Sequence, residues 1–271
     1  MTDDLAQLQT TARQAALAAG QVIAERMNQP RVVYEKAPKD VVTATDHAAQ
    51  QAALEVITTR FPQHKILAEE DPSIQPDKYG TWTMPKGYTW IVDPVDGTSN
   101  FASGMPIFCT SVGLARDGEP LVGVIYDPTR EELFMAAKGQ GATLNGEALP
   151  ILMAHSLYES LLCVDWAQAP RLDYSIRDVL FTLAPRVRTT RVIGSAALAM
   201  TYVAAGRLQL YANVGLKPWD AAAAALIAQE AGAQASLPTG GEWQLGSPTI
   251  IIGHPDPLNE AVDLFSRARE G

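Results

Sequence analysis

The chain has 271 residues, 47% hydrophobic and 19% charged, with 30 acidic against 21 basic residues and a formal net charge of −9. That balance suits a soluble globular protein of one large or two compact domains and excludes a basic nucleic-acid-binding face. Two cysteines without CxxC spacing and four scattered histidines exclude a disulfide framework and a zinc site. The N-terminus lacks signal-peptide character and no apolar run nears the ~20 residues of a membrane span, so a cytoplasmic protein is expected.

Leu5, Leu8, Ala12, Ala15, Ala16, Ala19, Val22 and Ile23 recur at helical spacing and predict a helix over residues 3–28, closed by Pro30. Residues 31–35 predict a short strand. Thr45 is placed to cap a second helix over 46–60, ended by Phe61-Pro62. A short apolar strand over 65–68 runs into Glu69-Glu70-Asp71, and the proline, glycine and charge of 71–87 predict a loop. Residues 88–92 read as a buried strand ending at Asp93-Pro94-Val95-Asp96-Gly97-Thr98-Ser99, from which a short helix opens at Asn100-Phe101. Strands over 110–116 and 121–127 flank Asp117-Gly118-Glu119-Pro120, a hairpin signal, and 132–137 and 142–144 extend the sheet to an Asn145-Gly146 turn.

Beyond that turn strand and helix alternate. Strands are predicted over 161–165, 187–193, 208–213 and 249–253, and helices over 173–183, 195–205, 219–231 and 257–269. The pattern predicts an α/β (α+β) protein with a boundary near residue 148. An N-terminal α+β domain, 1–148, would carry the metal and phosphate motifs, and a C-terminal α/β domain, 149–271, would complete the site.

Asp93 and Asp96 sit at the mouth of an apolar strand, where two carboxylates repel unless a cation lies between them. Oxygen ligands at such a turn suit magnesium, which is usually shared between carboxylates, water and substrate phosphate. Glu69 and Glu70 end one strand, Asp220 starts a helix after Pro218-Trp219, and the Val95 carbonyl is a further candidate ligand. Gly97-Thr98-Ser99 would present free backbone N–H groups to a phosphate at a helix start. Thr98 could also pass a proton from a metal-bound water, with Asp46 as the base. Gly194-Ser195 ends a strand and could offer N–H groups and a hydroxyl to a polyol; the plain alternative is that Ser195 caps the helix.

These residues carry a resemblance to the inositol monophosphatase family, within the lithium-sensitive, magnesium-dependent phosphatases. The signature Trp-x-x-Asp-Pro-x-Asp-Gly-Thr-x-Asn-Phe is complete from Trp90 to Phe101. Trp219-Asp220-Ala221-Ala222-Ala223, the Glu69-Glu70 pair and Val42-Thr43-x-x-Asp46 follow the family order. The resemblance implies a layered αβαβα sandwich, usually a homodimer, hydrolysing inositol-1-phosphate with two to three Mg2+ per site. Fructose-1,6-bisphosphate, histidinol phosphate and 3'-phosphoadenosine compounds are the alternative substrates on this fold.

It further implies that Glu69, Asp93 and Val95 hold one metal and Asp93, Asp96 and Asp220 a second. Thr98 with Asp46 would activate the water, with Glu70 the third catalytic candidate. Asp96, Gly97 and Thr98 would meet the phosphate, and Gly194, Ser195, Ala196 and Asn213 the rest of the substrate. Two departures bear on this. Ala68 replaces the family's usual Gly before the acid pair, which is tolerated at negative φ. Asn213 stands where animal-type enzymes carry a Glu that hydrogen-bonds the inositol hydroxyls; Asn offers a neutral donor and acceptor instead.

Overall fold

The computed structural model describes residues 4–30, 32–37, 40–150, 156–166 and 172–270. The predicted starts of the first helix at Asp3 and of the first strand at Arg31 lie outside these. Asp4 caps α1 (Leu5–Arg26) by accepting from the Ala6 N–H, and the alanine face seen in the sequence is its buried face. A hairpin of β1 (Val33–Ala37) and β2 (Asp40–Thr43) leads into α2 (Ala44–Arg60). β2 was not foreseen, and it moves the helix start. Thr43, not Thr45, is the cap: its hydroxyl accepts from Thr45 N–H while the Asp46 carboxylate accepts from Thr43 N–H at 2.9 Å. Such a box satisfies donors at both sides of a helix start.

A seven-stranded sheet follows, in the order β3 (Lys65–Ala68), β4 (Tyr88–Asp96), β5 (Cys109–Arg116), β6 (Glu119–Asp127), β7 (Glu132–Ala137), β8 (Ala142–Leu144) and β9 (Glu147–Ala148). Only β3 and β4 are parallel. The short helix α3 (Thr98–Ser103) interrupts this run after β4. Both predicted turns are two-residue hairpins with left-handed φ at each central residue, Asp117-Gly118 (55° and 86°) and Asn145-Gly146 (51° and 86°). Asx-Gly is the pair that best tolerates that geometry.

The second sheet has five strands in the order β11 (Thr189–Arg191), β10 (Leu161–Trp166), β12 (Leu210–Val214), β14 (Thr249–Gly253) and β13 (Gln234–Ser236). The first three are parallel, and β14 runs antiparallel to both β12 and β13. The helices are α4 (Ile176–Leu183), α5 (Ala196–Ala204), α6 (Pro218–Glu230) and α7 (Pro255–Glu270). α4 begins later than predicted because the Ser175 N–H and hydroxyl both donate to Asp178 and fix the first turn.

Three apolar clusters define five layers. α1 and α2 cover one face of the seven-stranded sheet through Leu8, Ile23, Ile57, Trp90 and Val92. α5 and α6 lie between the sheets, and Ile91, Ile125, Tyr211 and Ile252 pack on them from either side. α4 and α7 cover the outer face of the five-stranded sheet through Val164, Val179 and Phe265. This is the expected αβαβα sandwich. α6 is almost wholly buried, which explains its alanine run: only small side chains fit a helix pressed between two sheets.

Candidate active site

β4 does not stop at Val92 as the sequence reading had it; it runs on through Asp96 with every residue after Tyr88 buried. Asp93 pairs with Ser111 and Asp96 with Cys109, so three steps on β4 match two on β5. That extra residue is a bulge. Side chains alternate faces along a strand, and two acids three residues apart would otherwise point to opposite sides. The bulge re-aims Asp96 toward the side of Asp93. The Thr110 hydroxyl, donating to the Pro94 carbonyl at 3.0 Å, holds the bulge in place.

Asp220 reaches the same place from the first turn of α6. Its carboxylate accepts the Lys217 N–H at 2.8 Å, and the Ser111 hydroxyl anchors that turn by donating to the Trp219 carbonyl at 3.0 Å. One carboxylate oxygen from each of Asp93, Asp96 and Asp220 lies within 4.8 Å of the others. Glu69, at the end of β3, joins them along a cleft of about 180 Å3 that Val41, Val95, Gly97, Thr98, Ser99 and Gly194 also line. Lys217 Nζ sits 3.7 Å from Glu69 Oε1.

Asp93, Asp96 and Asp220 are held above the ordinary carboxylate range. Burial raises Asp93 well above it, reinforced by the charges of Glu69, Asp96 and Asp220. Burial raises Asp96 to about 6 against the opposing hydrogen bonds of Ser195 and Ala197. Burial raises Asp220 to about 7 against the opposing charge of Lys217. Three clustered carboxylates with all-oxygen chemistry are the donor set of a hard divalent cation, so the residues fit magnesium.

Asp96 is the most heavily gripped of the three. Ser195 Oγ and the Ala197 N–H (2.9 Å) donate to Oδ2, the Ala196 N–H (3.2 Å) donates to Oδ1, and the Cys109 thiol lies 3.7 Å from Oδ2. Ser195, 1% exposed, therefore spends its hydroxyl on Asp96 while also capping α5.

Thr98 Oγ1 stands 3.0 Å from Asp46 Oδ1 and 2.9 Å from the Val95 carbonyl oxygen. One hydroxyl proton cannot serve both acceptors, so the contact it makes depends on how the other is occupied. Asp46 is fully buried behind Thr98, with its second oxygen held by Thr43. Glu70 is not among the residues that line the cleft; its N–H donates to Gln50 Oε1 at 3.0 Å. Ala68 is an ordinary buried strand residue without positive φ, as its tolerance in place of Gly requires.

Asn213 is 4% exposed on β12, in register with Asp165 on β10. Its Nδ2 donates to the Tyr211 hydroxyl at 2.8 Å, while its Oδ1 is buried without a hydrogen-bond partner; the Tyr211 hydroxyl in turn bonds the Asp165 carboxylate. Asp165 Oδ1 accepts from the Gly194 N–H at 2.7 Å, which ties this pair to the rim of the cleft. Sequence reasoning did not place Val41 or Lys217 here. Lys217 had a usable signal, a cation three residues before a motif acid; Val41 had none, because the hairpin that carries it was not foreseen.

The structure is thus a five-layered α/β sandwich with a buried acid cluster at the bulged end of β4, next to the edge of the seven-stranded sheet. The chain belongs to the inositol monophosphatase family, whose sequence pattern matches residues 4–269, and is a phosphatase of that family. It is 37% identical to inositol monophosphatase 1 of Solanum lycopersicum over 254 residues, 91% of this chain and 90% of that one. It is 36% identical to Nus factor SuhB of Escherichia coli over 244 residues, 89% of each. Among solved structures, SaIMPase-II, inositol monophosphatase-II of Staphylococcus aureus, superposes with a TM-score of 0.80 at 28% identity, covering 97% of this chain and 95% of that one. It has been solved bound to inositol monophosphate and to 2'AMP.

Proposed function

We propose that the protein hydrolyses inositol-1-phosphate to inositol and phosphate with Mg2+ as cofactor. The observation that carries this reading is the convergence of Asp93, Asp96 and Asp220 beside the Thr98–Asp46 contact. Asp93, Asp96 and Asp220, with Glu69 and the Val95 carbonyl, would hold two to three cations. Bound there, the cations would supply Lewis acidity and positive charge to the phosphoryl group. Gly97 and Thr98, at the start of α3, orient the phosphate. Thr98 Oγ1 positions the attacking water, and Asp46 receives its proton through that hydroxyl. The leaving oxygen takes up a proton as the phosphate ester bond breaks.

The unpaired acceptor Asn213 Oδ1 favours a leaving group that carries hydroxyl donors, because a buried acceptor left without a donor costs free energy. A polyol meets that demand, and so does a ribose. Binding of both inositol monophosphate and 2'AMP by SaIMPase-II supports either. Similarity to a protein named Nus factor favours a second reading, a regulatory role beside hydrolysis. The net charge of −9 favours a protein over a nucleic acid as its partner.

Magnesium-dependent phosphate release should be measured on inositol-1-phosphate, 2'AMP, fructose-1,6-bisphosphate, histidinol phosphate and a 3'-phosphoadenosine compound. Inositol-1-phosphate is expected to give the highest kcat/KM, and Asp93→Asn to remove turnover on all five with the fold intact. Near wild-type turnover by Asp93→Asn would sink the reading.

A further inference from the structure

The peptide unit between Ile193 and Gly194 is held at both polar ends by side chains from distant parts of the chain. Its carbonyl, on Ile193, accepts from Asn100 Nδ2 at 2.7 Å. Its N–H, on Gly194, donates to Asp165 Oδ1 at 2.7 Å. Asn100 belongs to α3, two residues past Thr98, and Asp165 to the end of β10. The second Nδ2 proton of Asn100 goes to the Ile107 carbonyl at 2.8 Å, so both amide protons are committed.

There is no slack around this contact. A Cβ at Gly194 (φ +73°) would meet Asn100 Nδ2 at 3.0 Å and Oδ1 at 3.2 Å; one at Gly97 (φ +93°) would meet the Ile107 carbonyl oxygen at 2.8 Å and that of Gly194 at 3.2 Å. Two glycines at left-handed φ bring three segments together, and a glycine-flanked peptide rotates easily unless its ends are fixed. The residues that follow are the ones that grip Asp96: Ser195 Oγ, Ala196 N–H and Ala197 N–H. Rotation of the Ile193–Gly194 peptide would swing those donors away from the carboxylate.

We propose that Asn100 and Asp165 clamp the Ile193–Gly194 peptide and thereby position Asp96, setting the cation affinity of the acid cluster. Both act through the peptide rather than on a cation. The inference rests on the reading of Asp96 as a cation ligand given above. Nothing in the motif around Asn100 announces the contact, since its partner lies 93 residues away.

Mg2+ alone, titrated into the substrate-free protein by calorimetry, separates the two claims. Outer partners of ligands are worth about 10–100-fold in metal affinity, so Asn100→Ala and the isosteric Asn100→Asp are expected to weaken Mg2+ binding at least ~10-fold. Circular dichroism should be that of the wild type. Asp165→Ala should weaken it likewise, whereas Asp165→Asn, which keeps an oxygen for the Gly194 N–H, should restore it. Because both side chains act on one peptide, Asn100→Ala/Asp165→Ala should bind no worse than the weaker single variant. Wild-type affinity in the folded single variants, or losses that multiply in the double variant, overturn the clamp. If Asn100→Ala does not fold, the Asp165→Ala and Asp165→Asn pair decides, and equal affinities overturn it. A wild-type protein that binds no Mg2+ overturns the cation reading itself, and the clamp with it.

Discussion

Asp96 and Asp220 are carboxylates that hold their protons more tightly in the folded chain than in the unfolded one. Their pKa values rise from 3.8 to about 6 and about 7, chiefly through burial. Between 3.8 and about 7 the folded state therefore binds more protons than the unfolded state, and stability falls as pH rises through that window. Without divalent cations the protein is expected to lose thermal stability from about pH 4 to about pH 7 through these groups. Mg2+ should restore stability mainly at the alkaline end, because ligation requires ionised carboxylates. Melting temperatures in EDTA and in Mg2+ across that range test this; a Mg2+ effect larger in acid would contradict it. Thr98 makes a separate prediction. Its hydroxyl is the link between the cleft and buried Asp46, so Thr98→Ala should lower kcat by about 100-fold while leaving Mg2+ affinity unchanged. Unchanged kcat would remove Thr98 from the mechanism. The acids themselves were plain in the sequence because each ends or starts an element. What holds Asp96 was not, since its donors lie 99 to 101 residues downstream.

Among the elements, α6 joins the sheets to the site. It carries Asp220 in its first turn and packs on β5 and β6 at Gly113 and Gly123. A Cβ at Gly123 would lie 2.5 Å from the Ala223 carbonyl oxygen and 2.9 Å from its Cα; one at Gly113 would lie 2.9 Å from Ala222 Cβ. These neighbours are backbone or a helix methyl, which yield only if the whole helix moves. Gly123→Ala should cost about 1–3 kcal/mol of stability, as overpacking of a close-packed core does. It should also weaken Mg2+ binding by displacing Asp220. Denaturant unfolding and Mg2+ titration of the one variant check both, and a stable variant with wild-type affinity would show that α6 shifts without disturbing the cluster. The sequence disclosed the long periodic helices, the strands and both Asx-Gly turns, whose signals are local. It concealed β2, β9 and β13, each of two to four residues and stabilised by pairing rather than by pattern. The bulge in β4 was hidden for the same reason: only the register against β5 reveals that one residue is extra. The local motif Thr43-x-x-Asp46 was available as a capping box, yet Thr45 competed with it until β2 fixed where the helix begins.

In the whole molecule, the proposed boundary near residue 148 falls after the last strand of the seven-stranded sheet, but the interactions that build the site cross it. Asp220 comes from beyond it, as do the three donors to Asp96 and the Ile193 carbonyl that engages Asn100. The central apolar layer is also shared: Ile91 and Ile125 of one sheet and Tyr211 and Ile252 of the other pack into a single cluster around α5 and α6. A fragment ending at residue 148 would expose the sheet face that α6 covers, with Gly113 and Gly123 opened to water and Asp96 stripped of its donors. Exposed apolar sheet surface of that extent leads to association rather than to a soluble monomer. We therefore predict that residues 1–148 alone will be aggregation-prone and without Mg2+ affinity, and that the full chain will unfold in one transition. Denaturant curves of the full chain followed by tryptophan fluorescence and by far-ultraviolet circular dichroism should coincide. Two separated transitions, or a soluble 1–148 fragment that binds Mg2+, would mean that the halves fold independently and meet only at the site. Coincident curves would mean that the layer between the sheets, more than either sheet, is the cooperative core that keeps Asp93, Asp96 and Asp220 together.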